Sequence, residues 1–334
     1  MPIRVSAQQT SMCRSLMPTN QRDESRKFHM LMGALVALLT MADLVLARVV
    51  HYSGVARTII AIPVALASVA IAALPFVVIC WEWRRKWFRT ALDLLTTATW
   101  VLAVWSLFGP LVQIAARSPA PLVDATLAQI DSQTIQTVMV VRWLHDSPLL
   151  RTVSQAAYDS LWPLAITALF LPTLCGHARD VRHYLFATSI SLLLTLGLFA
   201  LWPAIGPWTV EAFKPGKMQA QIGPYLASLK RHAIPDGLEL AGIVAFPSFH
   251  VILAILSTRA LWGIRRLRLF CAALCVAICI STVATGWHYV IDVFAGIAVA
   301  TSSQMIASWA LQTQPLSVRR ALSVNPSLMP GRAV

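Results

Sequence analysis

The residues able to do chemistry crowd into the last third of the chain. Phe246-Pro247-Ser248-Phe249-His250 runs straight into an apolar stretch, and 38 residues after His250 a second motif, Gly286-Trp287-His288-Tyr289-Val290-Ile291-Asp292, opens another. Pro at the start of an apolar run fits the first helical turn, where its missing N–H costs no hydrogen bond. Ser248 and His250 then stand at a helix N-terminus, where free amides and the helix dipole favour an anion such as phosphate. His288 and Asp292 are four apart, so on a helix they share a face. A carboxylate there can take the proton of one imidazole nitrogen and leave the other free as base or nucleophile. Two histidines, one acid and two helix entrances make a site able to hold an anion and move a proton.

The elements that position these residues are apolar runs. Of the 334 residues, 57% are hydrophobic and 12% charged, where a water-soluble domain carries about twice that charged share. Runs near 28–47, 58–81, 91–115, 153–174, 184–205, 246–264, 269–285 and 288–311 are each about long enough to cross a bilayer core of roughly 30 Å. The expected fold is all-α: a polytopic membrane bundle of about eight spans, with a six-helix core and surface helices in the outer loops. A soluble enzyme with one anchor, a disordered chain and a nucleic-acid binder are excluded, despite the net charge of +13.

That charge sorts as topology if both termini lie in the cytoplasm. Eighteen of the 27 basic residues then fall on one side, among them Arg84, Arg85, Lys86 and Arg89, the pair Arg179 and Arg182, and Arg259, Arg265, Arg266 and Arg268. Short connections are where the positive-inside rule has its force. The first apolar run follows a 27-residue polar tail without a small-residue cleavage pattern, so it is expected to be retained as a span. Cys271, Cys275 and Cys279 read as small fillers on one helical face, and none of the six cysteines is spaced for zinc or a disulfide framework.

The organisation that follows is a basic tail (1–27), N-terminal spans (28–115), an outer amphipathic segment (116–152), a catalytic core (153–311) and a second tail (312–334). Asp124, Asp131, Arg142 and Asp146 interspersed among apolar residues mark a helix or two on the outer surface. If the sixth run begins outside at His250 and crosses inward to Arg265, the seventh returns, and His288 emerges on the same outer side. Imidazoles more than about 8 Å apart would not share one phosphate, because catalytic groups must come within hydrogen-bond reach of their target.

The two histidine motifs resemble the type 2 phosphatidic acid phosphatase superfamily, related to vanadium haloperoxidases and bacterial acid phosphatases. The family's P-S-G-H signature matches Pro247-Ser248-Phe249-His250 with Phe249 in place of Gly. Its S-R signature, continued five residues on by H-x-x-x-D, matches Ser281, His288 and Asp292, with Thr282 at the arginine position. The signature K, six residues, R-P is not found; Ala200 to Pro207 occupies that place without a basic residue. The pattern is closest to the inositol phosphorylceramide synthase-like branch, with F-P-S-x-H and G-x-H-Y-x-x-D motifs. The resemblance covers about residues 153–311.

It implies His288 as nucleophile, Asp292 as its orienting partner and His250 as acid and base, with Ser248 and helix-end amides on the phosphate oxygens. Arg231 is the first choice to replace the missing arginines, among Lys214, Lys217, Lys230 and Arg231, with Lys217 beside it. It implies a metal-independent phosphatase or phosphotransferase without a cofactor. The expected partner is a lipid phosphate or phosphodiester in the bilayer, at the outer face of an inner (plasma) membrane, with water or a lipid hydroxyl as acceptor. Three other readings stay open on the residues alone: a transporter using Asp43 and Asp159, a metal site of His250, His288 and Asp292, and a non-catalytic member of the family.

Overall fold

The computed structural model describes residues 19–49, 85–133, 137–210, 213–231 and 243–311. The expected span 58–81, Glu82, Arg84 and the C-terminal tail lie outside them. Among the described residues the chain is helical, in the order α1 (Thr19–Val49), α2 (Arg85–Ala115), α3 (Asp124–Ser132), α4 (Thr137–His145), α5 (Pro148–Asp159), α6 (Leu161–Leu174), α7 (Ala178–Leu201), α8 (Lys217–Lys230), α9 (Phe249–Leu261), α10 (Arg268–Ala284) and α11 (Val290–Ala310). Single 3-10 turns lie at Pro207–Thr209 and Arg265–Leu267.

Among the described residues, five segments are long and apolar enough to cross a membrane: Glu24–Leu46, Thr90–Ala115, Ala178–Leu201, Arg265–Ala284 and Val290–Ala310. Two expected spans are built differently. The run 153–174 is two helices, α5 and α6, meeting at Ser160. Pro163, in the first turn of α6, has no N–H to return to the carbonyl of Asp159, so the break carries no lost donor. The run 246–264 yields only the 13-residue α9, about 20 Å long at 1.5 Å per residue. Pro247 is not in its first turn, because the helix starts after Ser248, whose backbone is still extended at φ −65° and ψ 106°.

Helix α9 is short because it is central. It packs against α6, α7, α10 and α11, and Val251, Ile252, Leu253, Ala254, Leu256, Ala260 and Leu261 are all buried. A helix apolar on every side belongs in the interior. The outer helices show the converse. Leu269, Val276 and Ile280 run along α10, and Phe294, Met305 and Trp309 along α11, all exposed. Apolar stripes of this kind, on helices of spanning length, face lipid.

The main core cluster runs from Phe28 and Met32 of α1 through Leu161, Ala168, Tyr184 and Leu256 to Ala300 and Leu311. Helix α11 meets the start of α9 closely at Gly296. A Cβ built there would lie 2.8 Å from the Ser248 carbonyl oxygen and 3.1 Å from Val251 Cβ. Only glycine lets α11 approach the start of α9 so closely, and this crossing draws the two histidine motifs together.

Candidate active site

His250 is the second residue of α9, one place after the N-cap successor Phe249. The Phe249 side chain packs into the main core, which explains why a bulky residue is accepted where the signature has glycine. Ser248 is fully buried, and its backbone N–H donates to the Asp292 carbonyl at 3.2 Å. That bond ties the two motifs directly.

His288 is not on a helix. It lies two residues before Val290, in a turn whose amides at Trp287 and His288 both donate to the Thr282 carbonyl at 3.2 Å. Gly286 makes the turn possible with φ +74°, a conformation that a side chain strains. Thr282 thus serves the site through its backbone, while its hydroxyl turns back to the Cys279 carbonyl at 2.8 Å. The residue at the family's arginine position does not reach toward the histidines.

The expected helical pairing of His288 with Asp292 is replaced by a capping geometry. Asp292 Oδ2 accepts the Tyr289 N–H at 2.9 Å and stands 3.4 Å from His288 Nδ1. A closer partner for that nitrogen is the Ala245 carbonyl, at 2.8 Å. A carbonyl only accepts, so its partner assigns the proton to Nδ1 and leaves Nε2 with a lone pair. Nε2 makes no hydrogen bond among the described residues.

The two imidazole centroids are 6.2 Å apart with planes at 55°, within the separation that one phosphate can bridge. His250 is held by Tyr158 of α5, stacked at 4.1 Å and 22°. Tyr158 in turn lies parallel to Trp287 at 6.2 Å, and Trp208 meets Trp287 edge-on at 5.5 Å. These aromatic groups form one wall of the site. Tyr158 was not legible in the sequence, because a tyrosine at the end of an amphipathic stretch carries no motif; only the break at Ser160 turns it toward α9.

Two buried side-chain oxygens here, Ser248 Oγ and Asp292 Oδ1, have no hydrogen-bond partner among the described residues. Leaving such atoms unpaired costs about 1–3 kcal/mol each, and fold stability alone gives no reason to keep them. Of the two helix entrances expected to attract an anion, only one is open. The α9 N-terminus has no side-chain cap. At α11 the Ile291 N–H is taken by Asp131 Oδ1 at 3.2 Å.

Asp131 comes from α3, an amphipathic helix whose acids do not face outward. Asp124, Leu127 and Asp131 all point inward and are buried. Asp124 accepts the amides of Ile205 and Gly206 at 2.8 to 3.1 Å. Burial pushes its carboxyl above the usual range, opposed by those two amides. The stretch 200–207, which lacks the basic signature, is therefore held by a carboxylate from α3.

The cations separate along α8. Lys217 is exposed at its first turn, beside the Thr285 carbonyl to which Gln219 donates at 3.2 Å. Arg231 is exposed at the opposite end, about 20 Å away along a 14-residue helix. Lys230 is committed to structure: its amine donates to the carbonyls of Ser118 at 3.0 Å and Ala120 at 2.7 Å, and burial lowers its pKa. Asp159, considered above as a transport residue, is exposed and accepts from Gln155 at 3.0 Å.

With this geometry in hand, the comparison with known families is specific. Residues 125–306 match the PAP2 superfamily, and the chain belongs to it. Membership makes the protein a phosphatase-type membrane enzyme. No curated protein and no solved structure matches the chain.

Proposed function

We propose that the protein is a membrane phosphatase or phosphotransferase that acts on a lipid phosphate or phosphodiester at the outer leaflet through a phosphohistidine on His288. The observation carrying this reading is the His288 ring, with Nδ1 pinned to the Ala245 carbonyl at 2.8 Å and Nε2 left to attack.

In the first step Nε2 forms a bond to phosphorus while the bond to the leaving oxygen breaks, and His250 gives that oxygen its proton. Asp292, 3.4 Å from Nδ1, stabilises the positive charge that the ring acquires. In the second step water or a lipid hydroxyl attacks phosphorus, its proton passes to His250, and the P–N bond breaks. The open α9 amides and the Ser248 hydroxyl hold the phosphoryl oxygens. Charge placement is the main device in phosphoryl transfer.

A second reading, a head-group transferase like the inositol phosphorylceramide synthases, is favoured by Phe246-Pro247-Ser248-Phe249-His250 and by a buried threonine where the phosphatase signature has arginine. The phosphatase passes the phosphoryl group to water, and the transferase passes a head-group phosphoryl from a phosphodiester donor to a lipid hydroxyl. Purified protein given a lipid phosphate and a lipid phosphodiester, each labelled at phosphorus, with and without a hydroxylated lipid, decides between them: free phosphate marks the phosphatase, labelled second lipid the transferase. His288→Ala should abolish both products and any acid-labile phosphoprotein. Activity equal to the parent would sink the proposal.

A further inference from the structure

Beside the histidines lies a cleft of about 320 Å³ that the proposed mechanism does not use. It falls at the lower end of the range of small-molecule sites, about 300–1,000 Å³. Three cations line it: Arg151 from α5, Lys214 from the loop before α8, and Lys217 from its first turn. Among the described residues no carboxylate does, and none of the three cations forms a salt bridge there. Ser154 adds a hydroxyl, and Gln219 fixes the floor by donating to Thr285 and accepting the Gly216 N–H at 2.7 Å.

The cleft and the histidines share a wall. Trp287 lines the cleft, immediately precedes His288 and lies parallel to Tyr158, which stacks on His250. Arg151, Ser154 and Tyr158 are spaced along one face of α5. Seven residues separate Arg151 from Tyr158, about 10 Å along the axis. A group held at Arg151 is thus placed to be the far end of a molecule whose reacting phosphoryl lies at the histidines.

We propose that this cleft is a second phosphate subsite, binding a phosphate group carried on the substrate or acceptor head group beyond the phosphoryl that His288 attacks. Arginine offers a planar pair of donors to phosphate oxygens, and the two lysines neutralise the remaining charge. The site rests on the functional reading above for its substrate, but its binding is measurable without turnover.

The experiment uses full-length His288→Ala protein in detergent, so that nothing is consumed. Its affinity is measured by calorimetry for short-chain phosphatidylglycerol, for the same lipid bearing a terminal phosphate, and for inorganic phosphate. The phosphorylated lipid should bind at least tenfold more tightly than its parent. Arg151→Ala with Lys214→Ala should erase that advantage, and Arg151→Lys with Lys214→Arg should restore much of it, which separates lost charge from misfolding. Equal affinity for the two lipids, or an advantage that survives the alanine pair, would overturn the subsite. Dependence of inorganic phosphate alone on the pair would overturn the head-group assignment in favour of free phosphate. Failure of the enzymatic reading appears elsewhere, as undiminished activity in His288→Ala.

Discussion

Each end of the helical bundle holds histidines among packed helices, and the two ends use them in opposite ways. At the arginine-rich end His183 has both ring nitrogens engaged: Nε2 lies 3.1 Å from Ser308 Oγ, and the Gln304 amide donates to Nδ1 at 3.3 Å. Nearby, Arg179 pairs with Glu24 at 2.6 Å, and the Tyr184 hydroxyl meets Ser257 Oγ at 3.0 Å. Those bonds close the ends of α1, α9 and α11 onto α7. At the other end His288 spends one nitrogen on a carbonyl and keeps the second, while Ser248 Oγ and Asp292 Oδ1 stay buried without partners. A satisfied histidine is a fastener; a half-satisfied one keeps a nitrogen for the chemistry proposed above.

That contrast can be broken most sharply at His288. Replacement by alanine should lower phosphoryl transfer by at least about three orders of magnitude, whereas His183→Ala should leave the rate within about threefold and cost about 1–3 kcal/mol in unfolding. Comparable loss of activity in both would erase the distinction between the ends. His250→Gln, which cannot shuttle a proton, should cost about 10² to 10⁴ in kcat, read in a single-turnover assay with little change in KM. A leaving group that needs no protonation should recover much of that loss.

Gly296→Ala tests the crossing that unites the motifs. Its Cβ would stand 2.8 Å from the Ser248 carbonyl oxygen, so α9 and α11 must separate, at about 1–3 kcal/mol, and thermal unfolding together with kcat reports it. Asp131→Asn is the mildest change. It weakens the cap on Ile291 by about 0.5–2 kcal/mol and should reduce kcat several-fold through the placement of His288 while KM moves little. If KM alone rises, Asp131 contacts substrate rather than positioning the turn.

The membrane class, the helical content and the pair of histidine motifs were legible in the residues because they rest on local properties: apolar run length and residue type at fixed spacing. The Ala245 carbonyl was not, since any residue supplies the same carbonyl and nothing in its side chain marks it. Nor was the inward face of α3. Asp124 and Asp131 seven residues apart read as a polar surface stripe, and only burial against Ile205, Gly206 and Ile291 turns them into clamps. Phe249 and Thr282 looked like defects in a phosphate site; packing shows one filling the core and the other working through its backbone.

By itself, the sequence determined that the chain must sit in lipid and that two histidines and an aspartate stand at the entrances of apolar helices, because hydrophobic length and motif spacing are written locally. Only the tertiary structure decided which helix end stays open to an anion, which imidazole nitrogen is free, and that Arg151, Lys214 and Lys217 line one cleft. Those outcomes depend on hydrogen bonds and contacts between segments far apart in the chain, and a linear pattern carries no record of who meets whom.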